Sequence, residues 1–278
     1  MKLGIIVDSS CALSQKEAEA RGWGFLPIIA TIDGKDYLDG IDLTAEQYYS
    51  MIRLEMQVKT ATTPLGLVEK TIKQIAAKYD YVLIYPLSKH LSAQTQNLIN
   101  NTAGMDNVFV VPSEAVGYSI VTDCEILLDL AKKGVSWEKI KEAANQLTSQ
   151  QFGLAIPKTL TWLVRGGRVS PALASMAKLL KIVPIIALEH GKLEKFGKSR
   201  VFDKTFEKIS RIITKEYKNR SSFQFSIYHG NHPEIDRLKQ IAQKYLTISH
   251  VKLFPPVIAN HIGPGVAGVL AHRKDIKD

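Results

Sequence analysis

Short runs of β-forming residues that end in polar turns, separated by segments of helical periodicity, constrain this chain more than any other feature. Leu3 to Val7 and Tyr81 to Tyr85 are unbroken runs of the kind that strands buried on both faces require. Between them, Val68, Ile72, Ile75 and Ala76 recur at the spacing of one helix face. Strands and helices alternate in this way along the whole chain, which predicts an α/β fold.

The remaining elements are read from their punctuation. Ser14-Gln15-Lys16-Glu17 is a capping box for a short helix to Arg21. Phe25 to Ile32 reads as a second strand, and Asp33-Gly34 as a hairpin turn into Lys35 to Leu38. Thr44 and Gln47 open a helix through Tyr48, Tyr49 and Ile52, and Lys59 to Pro64 reads as a hydroxyl-rich turn. A helix with Leu98 and Ile99, a strand from Val108 to Val111 and helices from Val116 to Lys132 and Ser136 to Leu147 follow, with Gly134 ending the first of these two. Phe152 to Ile156 begins a second α/β domain, so the chain divides into residues 1–151 and 152–278, with an approximate boundary and room for the domains to exchange segments. That second part carries a hairpin at Glu189-His190-Gly191-Lys192 and a helix from about Lys204 to Tyr217. Phe223 to Tyr228 is a strand, Pro233 to Tyr245 a helix with Ile235, Leu238, Ile241 and Ala242 inward, and Ile248 to Phe254 the last strand.

With 45% hydrophobic and 23% charged residues in 278, the chain has the balance of a soluble protein with real cores. Asp8 interrupts the apolar start before a signal-peptide core forms, and no apolar run approaches the ~18 residues of a membrane span, so a cytoplasmic location is expected. The net charge of +9 suits an anionic ligand, an acidic partner or at most a transient membrane-surface contact. Lys and Arg are spread over helix faces without interleaved aromatics, which argues against nucleic acid. Cys11 and Cys124 lack metal spacing and are read as reduced thiols. His229 and His232 have no supporting Cys or acidic ligands in sequence, so no metal site is expected.

Three stretches carry chemistry. Around Leu163-Val164-Arg165-Gly166-Gly167-Arg168-Val169-Ser170-Pro171, Ser170 can cap a helix whose Leu173, Met176, Ala177 and Leu180 form one buried face. Arg168 then stands beside unsatisfied N–H groups and could hold an anion; the alternative is a simple Gly-Gly turn with Arg168 in solvent. Asp8-Ser9-Ser10 closes the first strand, where open α/β sheets place ligand contacts. Asn260-His261-Ile262-Gly263-Pro264-Gly265-Val266-Ala267-Gly268 satisfies Gly-x-Gly-x-x-Gly but ends too soon for a dinucleotide fold. It reads instead as a turn whose N–H groups, with His261, face an anion at the start of the last helix.

These pieces resemble, in order and spacing, the DegV family of bacterial fatty-acid-binding proteins. The resemblance runs through Asp8-Ser9-Ser10, Leu163 to Ser170, Lys181 to Ile186, Gly191-Lys192-Leu193, Gly197-Lys198-Ser199-Arg200 and His261 to Gly265. It implies an N-terminal α/β/α domain with a mainly parallel sheet and a C-terminal α/β domain with a mixed sheet. It also implies that a long-chain fatty acid is the bound ligand, with its tail in a buried tunnel and its carboxylate on Thr62, Ser92, His261 and Arg168. Thr60, Thr63, Ser9, Ser10, Gly263 and Gly265 are secondary candidates. The family's usual Thr-Ser-Gln-Pro reads Ala61-Thr62-Thr63-Pro64 here, so a hydroxyl is absent at 61 or is supplied by Thr60; Thr62 or Thr63 could alternatively be plain helix caps. The usual Leu-Ser-Gly-Thr reads Leu91-Ser92-Ala93-Gln94, where Ala93 removes backbone freedom but leaves the serine.

The family's bound acid is presented to a separate fatty acid kinase, which implies a carrier without catalytic residues and without a cofactor. Arg200 would contribute to docking on the kinase, against the alternative of an ion pair with Asp203 or Glu207. Serine-hydrolase, Walker and zinc-protease signatures are missing. The alternative function is an enzyme acting on a small anionic substrate with the same Arg and His.

Overall fold

Every residue of Leu3–Asp8 is buried, as its apolar run requires, and this strand is the axis of the first sheet. The computed structural model describes residues 1–178, 182–217 and 221–276. Contacts divide the chain into two units, Met1–Thr44 with Glu55–Gln150, and Ala45–Leu54 with Gln151–Asp278. In chain order the strands of the first unit are β1 (Leu3–Asp8), β2 (Gly24–Leu26), β3 (Ile29–Ile32), β4 (Lys35–Leu38), β5 (Val58–Ala61), β6 (Tyr81–Tyr85) and β7 (Val108–Val110). Those of the second are β8 (Gln151–Ile156), β9 (Val183–Glu189), β10 (Lys192–Ser199), β11 (Phe223–His229), β12 (Ile248–Leu253) and β13 (Ala267–Arg273).

In the first unit a parallel sheet runs in the order β2-β1-β6-β7. The alternation of strand side chains divides its core in two. Leu3, Ile5, Val7, Leu83 and Tyr85 pack with Ile120, Cys124, Leu127 and Ile140 of helices Ser119–Lys132 and Trp137–Leu147. Ile6, Val82 and Ile84 pack with Val68, Ile72 and Ile75 of helix Leu65–Ala76 and with Leu98 of helix Gln94–Asn101. The result is an α/β/α sandwich. A second, antiparallel sheet runs β4-β3-β5. The Asp33-Gly34 turn is a two-residue hairpin with both φ values positive, 48° and 82°.

Two expectations fail here for backbone reasons. Phe25 to Ile32 is not one strand: Pro27 has no N–H for a ladder, and the chain passes from the parallel sheet at Leu26 to the antiparallel one at Ile29. Lys59-Thr60-Ala61 is not a turn but part of β5, paired with β3 through Thr31↔Lys59 and Ala30↔Thr60.

In the second unit a mixed sheet runs β10-β9-β8-β13-β11-β12, antiparallel except for the parallel pair β11 and β12. One face packs Leu154, Ile185, Ile227 and Val269 against Phe206 and Ile209 of helix Phe202–Tyr217 and Leu238 of helix Ile235–Gln243. Around Ile186 gather Leu160, Leu163, Leu173, Met176, Ile262 and Val266. The segment 45–54, which the sequence grouped with the first domain, counts with this unit: the Tyr49 hydroxyl donates to Phe254 O at 3.2 Å and Arg165 Nη1 to Leu54 O at 2.6 Å.

Ile248–Leu253 is not the last strand. Ala267–Arg273 is a further one, between β8 and β11, and helix Pro256–Ile262 precedes the Gly263-Pro264-Gly265 turn instead of following it. The helix expected after Ser170 also differs. Ser170 accepts from Leu173 N and Pro171 opens the turn as predicted, but α-helix lasts only to Ala174 and continues as 3₁₀ over Ser175–Lys178. With three residues per turn the face rotates, so Leu173 and Met176 are buried while Ala177 is exposed. Leu180 lies outside the described residues. Among the described residues no helix is long and apolar enough to cross a membrane.

Candidate functional site

Parallel pairing of β1 with β6 in the register Val7↔Tyr85 brings the carboxyl ends of both strands to one edge. Asp8 joins them. Its Oδ2 accepts from Leu87 N at 2.7 Å, and its Oδ1 accepts from Ser10 N at 3.1 Å and Ser10 Oγ at 2.5 Å. Burial pushes the Asp8 carboxyl up to about 6, against the opposing pull of the bonds from Ser10 and Leu87. Ser9 Oγ accepts from Ile28 N at 3.2 Å. Ser9 and Ser10 are fully buried, and the Ser10 hydroxyl proton is spent on Asp8, so Ser10 braces this edge.

The loop that leaves β6 is fixed at several points. Ser88 N donates to Ala115 O at 3.0 Å and Lys89 N to Ser113 O at 2.8 Å, while Thr95 Oγ1 donates to Leu87 O at 2.9 Å. Ser92 follows, its N–H on Ser88 O at 3.2 Å and its Oγ accepting from Gln94 N at 3.1 Å. Ala93 lies at φ −71°, ψ −4°, an ordinary right-handed conformation, so alanine in place of the usual glycine imposes no strain.

From the other side, β5 delivers Thr62 and Thr63. Pro64 stands at the N-cap of helix Leu65–Ala76 without a side-chain cap bond, which removes the plain capping reading of both threonines. Thr62 Oγ1 accepts from Asn97 Nδ2 at 3.2 Å. Thr63 N donates to Gln94 Oε1 at 3.0 Å, and Gln94 Nε2 donates to Thr63 Oγ1 at 2.8 Å. Thr60 lies in β5 opposite Ala30, on the face of the strand away from Ala61. Gln94 and Asn97 were not foreseen. A polar residue four before the buried Leu98 on one helix face was the available signal.

The chemistry follows from hydrogen counting. The oxygens of Ser92 and Thr62 each accept an N–H, so the proton of each hydroxyl is the group it has to offer. Two such donors suit an acceptor-only ligand such as a carboxylate.

In the second unit, helix Thr161–Gly166 ends on Gly167 in the left-handed region and Arg168 Nη1 donates back to Gly166 O at 2.6 Å. Arg168 is exposed, and the α-helix after it is a single turn, too short for the anion corner expected there. A Cβ on Gly166 would strike the His261 ring, so glycine is what lets the imidazole lie there. Burial, with the Arg168 charge nearby, lowers the His261 pKa to about 4. The ring is therefore neutral at pH 7 and offers one donor. Neither turn glycine aims its N–H at an anion, since Gly263 N donates to Ala259 O at 2.8 Å and Gly265 N to Gly230 O at 2.6 Å.

His261 carries a pH signature. Its folded pKa lies below the unfolded 6.5, so the folded state holds fewer protons between about 4 and 6.5; the stability this group supports is complete above 6.5 and is lost as pH falls through about 4. His261→Gln is expected to flatten the decline of stability between pH 6.5 and 4, as read by urea unfolding; an unchanged slope would place the imidazole in solvent.

Arg200 is exposed beside edge strand β10, with Lys195, Lys198, Phe196 and Val201 exposed around it. The ion-pair alternatives are otherwise engaged, Asp203 with Arg237 at 2.6 Å and Glu207 with the Tyr245 hydroxyl at 2.5 Å. His229 and His232 accept backbone N–H bonds on their Nδ1 atoms, and burial lowers both pKa values, that of His229 to about 4. Cys11 and Cys124 are buried free thiols raised by burial.

A family model described as "Uncharacterised protein, DegV family" matches residues 2–274. The chain belongs to the DegV family. A DegV domain-containing protein of Mycoplasmopsis pulmonis is 33% identical over 282 residues, covering 99% of this chain and 96% of its own. Among solved DegV structures, the fatty-acid-binding protein of Thermus thermophilus superposes with a TM-score of 0.86 at 24% identity, covering 98% of this chain and all of its own. The fatty-acid-binding DegV of Bacillus subtilis gives 0.85 at 22%, covering 99% of this chain and all of its own. These likenesses show the DegV fold.

Proposed function

We propose that this DegV protein binds a long-chain fatty acid and presents its carboxylate to a fatty acid kinase, acting as a carrier and not a catalyst. The observation that supports the first part most strongly is the pair of hydroxyls, Ser92 and Thr62, whose oxygens already accept N–H bonds and whose protons are left for an anion. Relatives of the same fold are fatty-acid-binding proteins. A C16 to C18 tail carries about 15 methylenes at ~0.8 kcal/mol each, more than one charge-assisted hydrogen bond supplies. The tail gives affinity, and the head gives register. Ser92→Ala is expected to weaken palmitate binding by about 1–3 kcal/mol with the unfolding midpoint unchanged. Equal affinity in wild type and variant would remove Ser92 from the site.

Presentation is supported by the exposed cationic edge at Lys195, Lys198 and Arg200, with the bulged Phe196 among them. Such a cluster speeds encounter with an acidic surface and makes it sensitive to salt. Arg200→Ala is expected to retain lipid and stability while lowering kinase-coupled acyl phosphate formation, most strongly at low ionic strength. Normal turnover at every salt concentration would end the docking role.

A further inference from the structure

Gln94 is a deeply buried polar side chain beside the hydroxyl pair, 1% exposed, and both ends of its amide are bonded to one residue, Thr63. The orientation of the amide follows from chemistry. Thr63 N–H can only donate, so the atom facing it is the carbonyl oxygen, and the NH₂ end then meets the threonine hydroxyl. We propose that Gln94 is the positioning residue of the head-group site, a clamp that sets the spacing between Ser92 and Thr62. The inference rests on the carboxylate reading given above.

Thr62 precedes the clamped Thr63 directly, and Ser92 is two residues before Gln94, whose own N–H holds Ser92 Oγ at 3.1 Å. One helix turn later Asn97 holds Thr62 Oγ1 at 3.2 Å. Gln94 and Asn97 lie three apart on the same helix face, so a single rigid element aligns both hydroxyls. Without the amide, the Thr62-Thr63 connection keeps its bond from Asn97 of the same helix, which is exposed.

The sequence bears on the same pair. Anchored on Pro64 and on Ser92, the usual Thr-Ser-Gln-Pro and Leu-Ser-Gly-Thr patterns place glutamine at 63 and threonine at 94. This chain carries the two residues in exchanged places, Thr63 and Gln94. In this chain the amide at 94 and the hydroxyl at 63 face each other at 2.8 Å.

The test compares palmitate with hexadecanol, which has the same tail without the carboxylate, in titrations of the full chain. Wild type is expected to prefer palmitate. Gln94→Ala and Thr63→Val are each expected to lower palmitate affinity by about tenfold while hexadecanol affinity stays within about twofold. The double variant Thr63→Gln/Gln94→Thr is expected to recover most of the palmitate preference that each of its single changes loses. An equal loss for both ligands would reduce the clamp to general stability and overturn the proposal, as would unchanged palmitate affinity in both single variants. A wild type without preference for palmitate would instead overturn the carboxylate reading on which the proposal stands.

Discussion

Gly263→Ala is expected to destabilise the protein by about 4 kcal/mol in urea unfolding. Gly263 sits at φ 76°, ψ 170°, a region that only glycine occupies without strain, for which a side chain costs about 1–3 kcal/mol. The new methyl would also run into the indole of Trp162, which is 1% exposed and cannot swing into solvent. Overpacking of that kind adds about 1–3 kcal/mol. Gly104→Ala is the control: φ is 86°, but nothing lies within 4 Å of the added atom, so only the backbone part is expected. Equal losses in the two variants would show that the Trp162 contact plays no part.

The second large effect is expected at Asp8. Asp8→Ala strands the N–H groups of Leu87 and Ser10 in a dry interior, at a cost of about 3 kcal/mol. The pH dependence has a definite sign. The folded pKa, about 6, lies above the ordinary carboxylate value of 3.8, so the folded state binds the extra proton; this contribution is complete below about 3.8 and is lost as pH rises through about 6. The deficit of the variant should therefore be larger at pH 4 than at pH 7. A deficit that grows with pH would mean that the carboxylate is stabilised in its charged form. Because Leu87 opens the loop that carries Ser92, lipid retention should fall with Asp8→Ala as well.

Much of this was legible in the residues. Ser14 does accept from Glu17 N at 3.3 Å while Glu17 Oε2 accepts from Ser14 N at 2.7 Å, the reciprocal pair that the Ser-x-x-Glu spacing announces. Both hairpins fall on their Asp-Gly and His-Gly dipeptides because positive φ at two successive residues leaves few other choices. What was not legible depends on partners distant in the chain. β5 is only four residues long, leaves Lys59 and Ala61 exposed, and gains its place by pairing with β3. β13 is rich in small residues, and the glycine motif before it invites a loop-to-helix reading; only its two neighbours, β8 and β11, make it a strand. Amphipathic spacing shows that Tyr49 is buried, yet says nothing of which unit buries it. At the site, Ser92 and Thr62 could be picked out as hydroxyls, whereas the spacing of Gln94 from Leu98 marks only its helix face, and its bond to Thr63 depends on a partner distant in the chain.

Mass spectrometry of the organic extract of the purified protein tests the central claim most directly. The account predicts one long-chain fatty acid per chain, displaced by added palmitate and depleted in the Ser92→Ala protein. An extract without lipid, from a chain that also fails to take up palmitate and instead turns over a small phosphate ester, would contradict it.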